Sequence, residues 1–334
     1  MSTLFDVAAL GELLIDFTEN GISGQGNPVL EANPGGAPCN VLAMLNRLGH
    51  RTGFIGKVGR DMFGNQLEAA LKEVGISTEG LIRDEKIHTT LAFVHTLKGG
   101  ERDFSFYRNP GADMMLAESE LNMHMLSHCR LFHFGSLSMT DEICRRATKK
   151  AIETAKENGA VISFDPNLRE PLWGSLDAAR EQIDYGMSQC DILKISDNEI
   201  KWFTGERDYD KGAAYLQLKY PIRLILVSMG REGSRAYMGK KCVEVKSFLQ
   251  ENTIETTGAG DTFCACVLHY VLEHGFREYA EDELREMLTF ANAAASLITA
   301  KKGALRVMPK RREIDELITG TAINKTTMNK TVAD

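Results

Sequence analysis

The stretch Glu255-Thr-Thr-Gly258-Ala-Gly260-Asp261-Thr-Phe263 decides how the rest of the chain is read. Two glycines flanking an alanine let the backbone turn tightly and approach a ligand closely. Behind them Phe263, Val267, Leu268, Val271 and Leu272 recur at three- and four-residue steps, which predicts a helix opening near Asp261. The first turn of such a helix presents N–H groups without intrahelical partners, and its positive dipole end favours anions, phosphate above all. A carboxylate beside it suits a reaction in which a proton leaves while negative charge accumulates nearby. The same residues would also make an ordinary helix start with Asp261 as its N-cap. Local chemistry leaves both readings open.

Working outward, 334 residues can bury one large α/β core, and a hydrophobic content of 43% with 25% charged residues fits a soluble globular chain. A net charge of −7 argues against broad nucleic-acid binding, which needs a basic footprint, but leaves room for a small anionic substrate. No run approaches the ~18 apolar residues of a membrane span, and the N-terminus lacks the regions of a signal peptide, so no membrane partner is expected. The seven cysteines show no ligand-like spacing; Cys264 and Cys266 read as core filling, and a reducing cytoplasm is the expected compartment.

Strand-like and helix-like stretches alternate nearly throughout, the pattern of a parallel sheet covered by helices. Phe5–Leu10 reads as the first strand, Ala37–Leu48 as a helix stopped by Gly49, Gly53–Val58 as a strand, and a helix opens near Asp61 and stops at Gly75. The rhythm then changes. Thr89–Leu97 and Asp103–Arg108 read as an antiparallel pair about a turn at Lys98-Gly-Gly100. With residues 13–17 and 29–33 this pair predicts a small separate sheet, either a lid over a site or a homodimer interface. Residues 20–36 are otherwise read as Gly-rich and irregular. The alternation resumes with strands at Arg130–Gly135, Ala160–Phe164, Asp191–Ile195 and Arg223–Ser228, then a hairpin over Ser234–Val245. One domain over residues 1–320 is expected, with residues 321–334 a disordered tail.

Several loops after strand-like runs carry chemistry, where open parallel sheets place their ligands. Asp16 is a carboxylate near the first strand. Gly35-Gly36 leads into a helix carrying the amide of Asn40. Asp165-Pro-Asn167-Leu-Arg169 is a polar loop whose arginine suits an anion. Ser196-x-x-Glu199 has the form of a capping box. Ser228-Met-Gly230-Arg-Glu-Gly233 is a second glycine loop. No Walker loop, dinucleotide fingerprint, H-E-x-x-H or G-x-S-x-G elbow is present.

Gly35-Gly36 to Asn40 and Thr256-Thr-Gly-Ala-Gly-Asp261 resemble the two signatures of the ribokinase-like (phosphofructokinase-B type) carbohydrate kinases, over residues of about 5 to 318. Gly11-Glu-Leu-Leu-Ile-Asp16-Phe, Phe106-Tyr-Arg-Asn-Pro110-Gly-Ala-Asp113 and Phe164-Asp-Pro-Asn-Leu-Arg169 are similar to fructokinases within that family. The resemblance implies a three-layer fold, a mostly parallel sheet between helices, with a small β-sheet lid. It implies that Asp16, Gly35, Gly36, Asn40, Asp165, Asn167 and Arg169 hold the sugar and that Arg108 closes the site from the lid. Asp261 would be the base for the 6-hydroxyl of fructose, with the backbone of Gly258, Ala259, Gly260 and Asp261 as the anion hole. Ser196, Glu199, Ser228, Gly230, Gly233, Gly260 and Asn292 would serve ATP, with Glu199 reaching magnesium through water.

The chain departs from the family's pattern at three places. Glu255 stands where the family usually has Asp, in a loop that often binds a monovalent cation, and Val307 stands where some relatives use serine for that ion; both argue against potassium activation. Gly111 stands where fructokinases commonly carry serine, beside Arg108. The alternatives are a sister kinase acting on 2-keto-3-deoxygluconate and a catalytically inactive regulatory relative. Intact Asp261 and its glycines speak against the latter.

Overall fold

Strand β1 (Phe5–Leu10) alternates between two apolar layers, with Val7 and Ala9 in one and Phe5, Ala8 and Leu10 in the other. A strand buried on both faces belongs at the centre of a parallel sheet, and the computed structural model, which describes residues 5–96 and 102–320, places it there. The other strands are β2 (Leu14–Ile22), β3 (Pro28–Gly35), β4 (Thr52–Gly59), β5 (Ser77–Asp84), β6 (Leu91–Thr96), β7 (Arg102–Tyr107), β8 (Cys129–Gly135), β9 (Val161–Asp165), β10 (Ile192–Ser196), β11 (Leu224–Ser228), β12 (Ser234–Met238) and β13 (Lys241–Val245). The helices are α1 (Ala37–Arg47), α2 (Met62–Glu73), α3 (Met123–Ser127), α4 (Glu142–Glu157), α5 (Leu176–Gln189), α6 (Asp197–Thr204), α7 (Tyr209–Lys219), α8 (Ala259–His274), α9 (Glu281–Ile298) and α10 (311–320).

The main sheet has nine strands in the order β13-β12-β11-β10-β9-β8-β1-β4-β5, parallel from β11 to β5, with β12 and β13 added antiparallel. Helices α1, α2, α8 and α9 pack into the layer on one face, and α3 to α7 into the layer on the other. This is the three-layer arrangement expected, held by apolar side chains that contribute about 1.5–3 kcal/mol each when fully buried.

The projecting sheet is also present, with four strands in the order β3-β2-β6-β7. Strand β2 runs parallel to β6 and antiparallel to β3, and β6 pairs antiparallel with β7. Phe17 stacks on Phe93 at 4.9 Å and meets Phe63 of α2 edge-on at 5.6 Å, which seats the sheet against the core. The strand expected at 29–33 is present and longer, over residues 28–35, pairing antiparallel with β2 with a register shift between Glu19 and Ile22. Strand β5 was not expected: Ser77-Thr-Glu-Gly-Leu-Ile-Arg-Asp alternates poorly, as an edge strand with one neighbour can. Asp61 caps α2 as anticipated, its Oδ1 accepting the N–H of Gly64 at 2.8 Å. The turn at Lys98–Gly100 and the tail 321–334 lie outside the described residues.

Candidate active site

From the adjacent pair β1 and β8 the chain proceeds outward both ways, through β4 and β5 on one side and through β9, β10 and β11 on the other. Connections that leave such a pair in opposite directions open a crevice at the C-terminal strand ends. A narrow crevice lies there, lined by Glu12, Ala37, Pro38, His133, Gly135, Ser136, Leu137, Asp165 and Asn167.

Helix α8 aims its first turn at this crevice. It begins at Ala259, two residues earlier than the periodicity suggested, and its N-cap is Gly258, not Asp261. Gly258 holds φ 76°, ψ 0°, a left-handed conformation that glycine takes without strain. Asp261 is the third residue of the helix, so the reading of it as a mere cap falls away. Asn40 Nδ2 donates to Asp261 Oδ2 at 2.8 Å, while Asn40 Oδ1 is buried without a hydrogen-bond partner among the described residues. Burial raises the Asp261 carboxyl above the usual aspartate range; the Asn40 bond and the charges of Lys194 and Arg169 partly offset it.

Asn40 is set by the turn before α1. Gly36, the N-cap of α1, has φ 130°, and a Cβ there would collide with the carbonyl oxygen of Glu12. A Cβ on Gly35 would collide with Asp16 Oδ2, so the glycine pair lets Asp16 sit against the turn. Glu12 itself is buried, its Oε1 accepting the N–H of Ala37 at 2.8 Å in the first turn of α1. Burial pushes its carboxyl up to about 7.

Arg108 does not reach across from the lid. Its side chain is 3% exposed, donating through Nε to Asp113 Oδ2 at 2.7 Å, through Nη1 to Thr140 Oγ1 at 2.9 Å and through Nη2 to the Leu137 carbonyl at 3.0 Å. It pins the end of β7 to the core beside the crevice. A side chain at Gly111 would collide with Thr90 Oγ1, which holds Asp113 Oδ1 at 2.5 Å; the missing serine is thus matched by this contact.

The loop after β9 is tied on three sides. Lys194 Nζ, in the middle of β10, pairs with Asp165 Oδ2 at 3.0 Å, both side chains under a tenth exposed. Asn167 holds φ 44°, uncommon for a residue with a Cβ, and its N–H donates to Asp165 Oδ1 at 3.2 Å. Glu199 takes the Leu168 N–H on Oε1 at 2.7 Å and the Ser196 N–H on Oε2 at 2.8 Å, closing the capping box and clamping the loop. Arg169 is exposed at the rim. Burial pushes Asp165 up to about 6 despite its lysine. Burial opposes the Lys194 charge as well, but Asp165, Glu199 and Asp261 together hold it above the ordinary lysine range. A Cβ on Gly260 would lie 3.2 Å from Lys194 Nζ, so the ammonium sits beneath the first turn of α8.

On the other side, Ser228 ends β11 next to Ser196, and the Gly230–Gly233 turn closes by the Met229 N–H on the Gly233 carbonyl at 2.9 Å. Asn292 is engaged elsewhere: Oδ1 accepts from Ser234 Oγ at 2.9 Å, and Nδ2 donates to the carbonyls of Val245 and Lys246 at 3.0 and 3.4 Å. Its amide braces the β12–β13 hairpin. Glu255 Oε1 accepts the Gly303 N–H at 2.7 Å, joining the two loops that flank the start of α8.

Sequence reasoning passed over Lys194, Glu12 and His133. Lys194 was legible as the lone charge inside the apolar run Ile192–Ile195, and Glu12 as a carboxylate between Gly11 and Leu13. His133, with Nδ1 3.0 Å from Ser163 Oγ, is pushed down to about 3 by burial and then by Lys194, so it is neutral. A wider open groove between α4 and α5 is lined by Arg146, Lys149, Glu153 and Tyr185 but brings no glycine turn or acid–base pair together. No helix among the described residues is long and apolar enough to cross a membrane.

Comparison with known proteins bears on this geometry. The model of the pfkB family of carbohydrate kinases matches residues 5–311. A probable fructokinase-2 of Arabidopsis thaliana is 43% identical over 307 residues, covering 91% of this chain and 92% of that protein. Fructokinase-2 of Solanum lycopersicum is 41% identical over 319 residues, 95% and 97% of the two chains. Among solved structures, a fructokinase from Xylella fastidiosa with bound ATP superposes with a TM-score of 0.87 at 28% identity, covering 96% of this chain and all of that one. A fructokinase double mutant from Vibrio cholerae, in a form with fructose, ADP and potassium bound, gives 0.84 at 26% identity, covering 95% of this chain and 100% of that one.

Proposed function

The chain belongs to the pfkB family of carbohydrate kinases, and from that premise we propose that Asp261 is the base of a phosphoryl transfer from ATP to the 6-hydroxyl of fructose. The enzyme is an ATP-dependent fructokinase, as its likeness to plant fructokinases over more than nine-tenths of its length carries. The observation that supports the assignment of Asp261 is its bond to Asn40 combined with the partnerless, buried Asn40 Oδ1 beside it. A buried acceptor without a partner costs about 1–3 kcal/mol, and a sugar hydroxyl donating to it would remove that penalty. Asp16, held by the glycine pair, is the second candidate acceptor for fructose.

With the sugar in the crevice, its 6-hydroxyl faces the carboxylate of Asp261 and loses its proton there. The raised affinity of Asp261 for a proton makes it a better base than an ordinary aspartate. The amides of Gly260 and Asp261 lie in the first turn of α8, where helix geometry supplies no carbonyl, and they face the γ-phosphoryl oxygens. Lys194 lies beneath the same turn and adds fixed positive charge in a water-poor setting. The Ser228–Gly233 loop follows the adjacent strand end and offers the nucleotide its backbone.

Magnesium travels with the ATP phosphates. Glu199 has both oxygens engaged by backbone N–H groups, so its remaining lone pairs suit a metal-bound water rather than the ion itself. Glu255 already bridges to Gly303, so we expect little response to potassium. Ile22, Val29, Leu30 and Tyr107 expose apolar area on the lid, the face through which two copies would pair.

The test is ADP release with Mg-ATP against fructose, ribose, 2-keto-3-deoxygluconate and adenosine. Fructose is expected to give the highest kcat/KM. Preference for another acceptor would move the substrate assignment, and no turnover on any of them would sink the kinase reading.

A further inference from the structure

At the opposite end of the two helices that carry Asn40 and Asp261, a second polar junction has no part in the kinase chemistry. Three residues after α1 ends, His50 is turned inward, its N–H held by the Leu45 carbonyl at 3.1 Å. Its Nε2 lies 2.7 Å from Nδ1 of His269 on α8. Both imidazoles are under a tenth exposed. Glu273, one helical turn beyond His269 and on the same face of α8, is exposed, and one ligand atom from each of the three residues lies within 4.8 Å of the others. His269 is eight residues past Asp261, so this junction lies about 12 Å along the helix from the reacting carboxylate.

We propose that His50, His269 and Glu273 form a binding site for one divalent transition-metal ion of the zinc class, which clamps α1 to α8. Two imidazoles and a carboxylate are a borderline nitrogen and oxygen donor set that suits zinc, cobalt or nickel and not magnesium, so the site does not compete for the ion that accompanies ATP. The set leaves a coordination position for water, as open sites do. Nitrogen ligands about 2.0–2.1 Å from one ion sit somewhat farther apart than a hydrogen-bonded pair. The imidazoles therefore part slightly on binding, and the exposed Glu273 side chain swings inward to complete the set.

Arg311 decides how readily this happens. Its Nη1 points at His269 Nε2 at 3.2 Å, and a guanidinium only donates. His269 therefore offers its Nε2 lone pair to Arg311 and carries its proton on Nδ1, which donates to His50 Nε2. When the ion takes the Nδ1 lone pair, that proton moves to Nε2, with no net release. Nε2–H and the guanidinium then face each other as two donors. Arg311, 62% exposed and 3.9 Å from Asp315, turns out toward solvent. Of the other groups near the pair, Asp6, beside His50, is bonded to Arg130 at 3.1 Å, and His274, one turn past Tyr270, has its Nδ1 2.9 Å from the Tyr270 carbonyl. Glu273 and Arg311 thus have opposite effects on the ion, one as ligand and one as gatekeeping cation.

The experiment uses the full chain, free of any affinity tag and stripped of metal, in a Cys242→Ser background so that the exposed thiol does not compete. Cobalt(II) is titrated while its visible d–d absorption is followed, with zinc in competition and magnesium in excess. One equivalent per chain is expected, with a spectrum free of thiolate charge transfer. Glu273→Gln should weaken binding about tenfold or more, and Arg311→Gln should tighten it. Both substitutions are at exposed positions, so the variants keep the fold, and zinc should raise the Tm of the parent but not of Glu273→Gln. Absence of a stoichiometric site, or equal affinity in parent and Glu273→Gln, would overturn the proposal. So would weaker binding in Arg311→Gln. The readout needs neither ATP nor fructose, so it stands apart from the kinase assignment.

Discussion

On the proposed acceptor side of Asp261, Asn40 keeps a buried Oδ1 without a partner among the described residues, whereas on the proposed donor side Asn292 bonds through both ends of its amide to Ser234, Val245 and Lys246. The two asparagines stand on helices of the same layer and are both buried, yet only Asn40 has a side-chain oxygen with no partner among the described residues. The glycines divide the same way. Gly35 and Gly36 make room for the side chain of Asp16 and for the Glu12 carbonyl, while Gly230 and Gly233 shape a turn that presents backbone. On the function proposed above, the difference assigns sugar recognition to side chains and nucleotide recognition to main chain and shape.

The sharpest way to stress the comparison is at the buried lysine between the two sides. Lys194→Met leaves Asp165 buried and unpaired, which should cost about 3–5 kcal/mol of stability. The double variant Lys194→Met, Asp165→Asn should recover most of that stability in denaturant melts yet keep kcat about 100-fold down, the size expected when a preorganised charge is lost. A double variant with the parent's kcat would reduce Lys194 to a partner for Asp165.

Asn40→Ala removes both the bond to Asp261 and the waiting acceptor, and steady-state kinetics should show the KM for fructose rising about tenfold. The KM for ATP should barely change; equal rises in both would erase the distinction between the two sides. Asn292→Ala is the mirror test. It should lower stability by about 1–3 kcal/mol through its lost buried hydrogen bonds, with the KM for ATP intact. Unchanged stability with a raised KM for ATP would mean that the donor side also reads through a side chain.

A further effect, confined to stability and remote from the reacting atoms, is in pH. Glu12, raised from 4.5 to about 7 in the folded state by burial, contributes stability that is present in full below pH 4.5 and is lost as pH climbs through 7. Chemical unfolding at a series of pH values should therefore show the parent losing up to about 3 kcal/mol relative to Glu12→Gln between pH 4.5 and 8. Gln keeps an acceptor for the Ala37 N–H, so parallel curves would contradict the shift itself.

Much of this was legible along the chain because it is local. The Gly258–Asp261 turn, the glycine pair, the Asp61 cap and the alternation of the central strands are written in short windows. What escaped depends on neighbours distant in sequence. Strand β5 has one partner and a weak pattern, and the lid strand expected at 29–33 extends to 28–35 by pairing with β2. Arg108 looked like a lid residue because it follows a lid strand, but Asp113, Thr140 and Leu137 draw it into the core. Asn292 looked like a ligand residue because nothing in its helix shows the hairpin that occupies it. Residues 50 and 269 are 219 positions apart, and only the packing of α1 on α8 brings them together.

The central claim is that Asp261 takes the proton from the hydroxyl that receives the phosphoryl group. Asp261→Asn tests it most directly, because the amide preserves shape and removes the base. Fructose binding, followed by calorimetry, should persist while kcat falls by about two to four decades. A variant that keeps a kcat near the parent's would contradict the account.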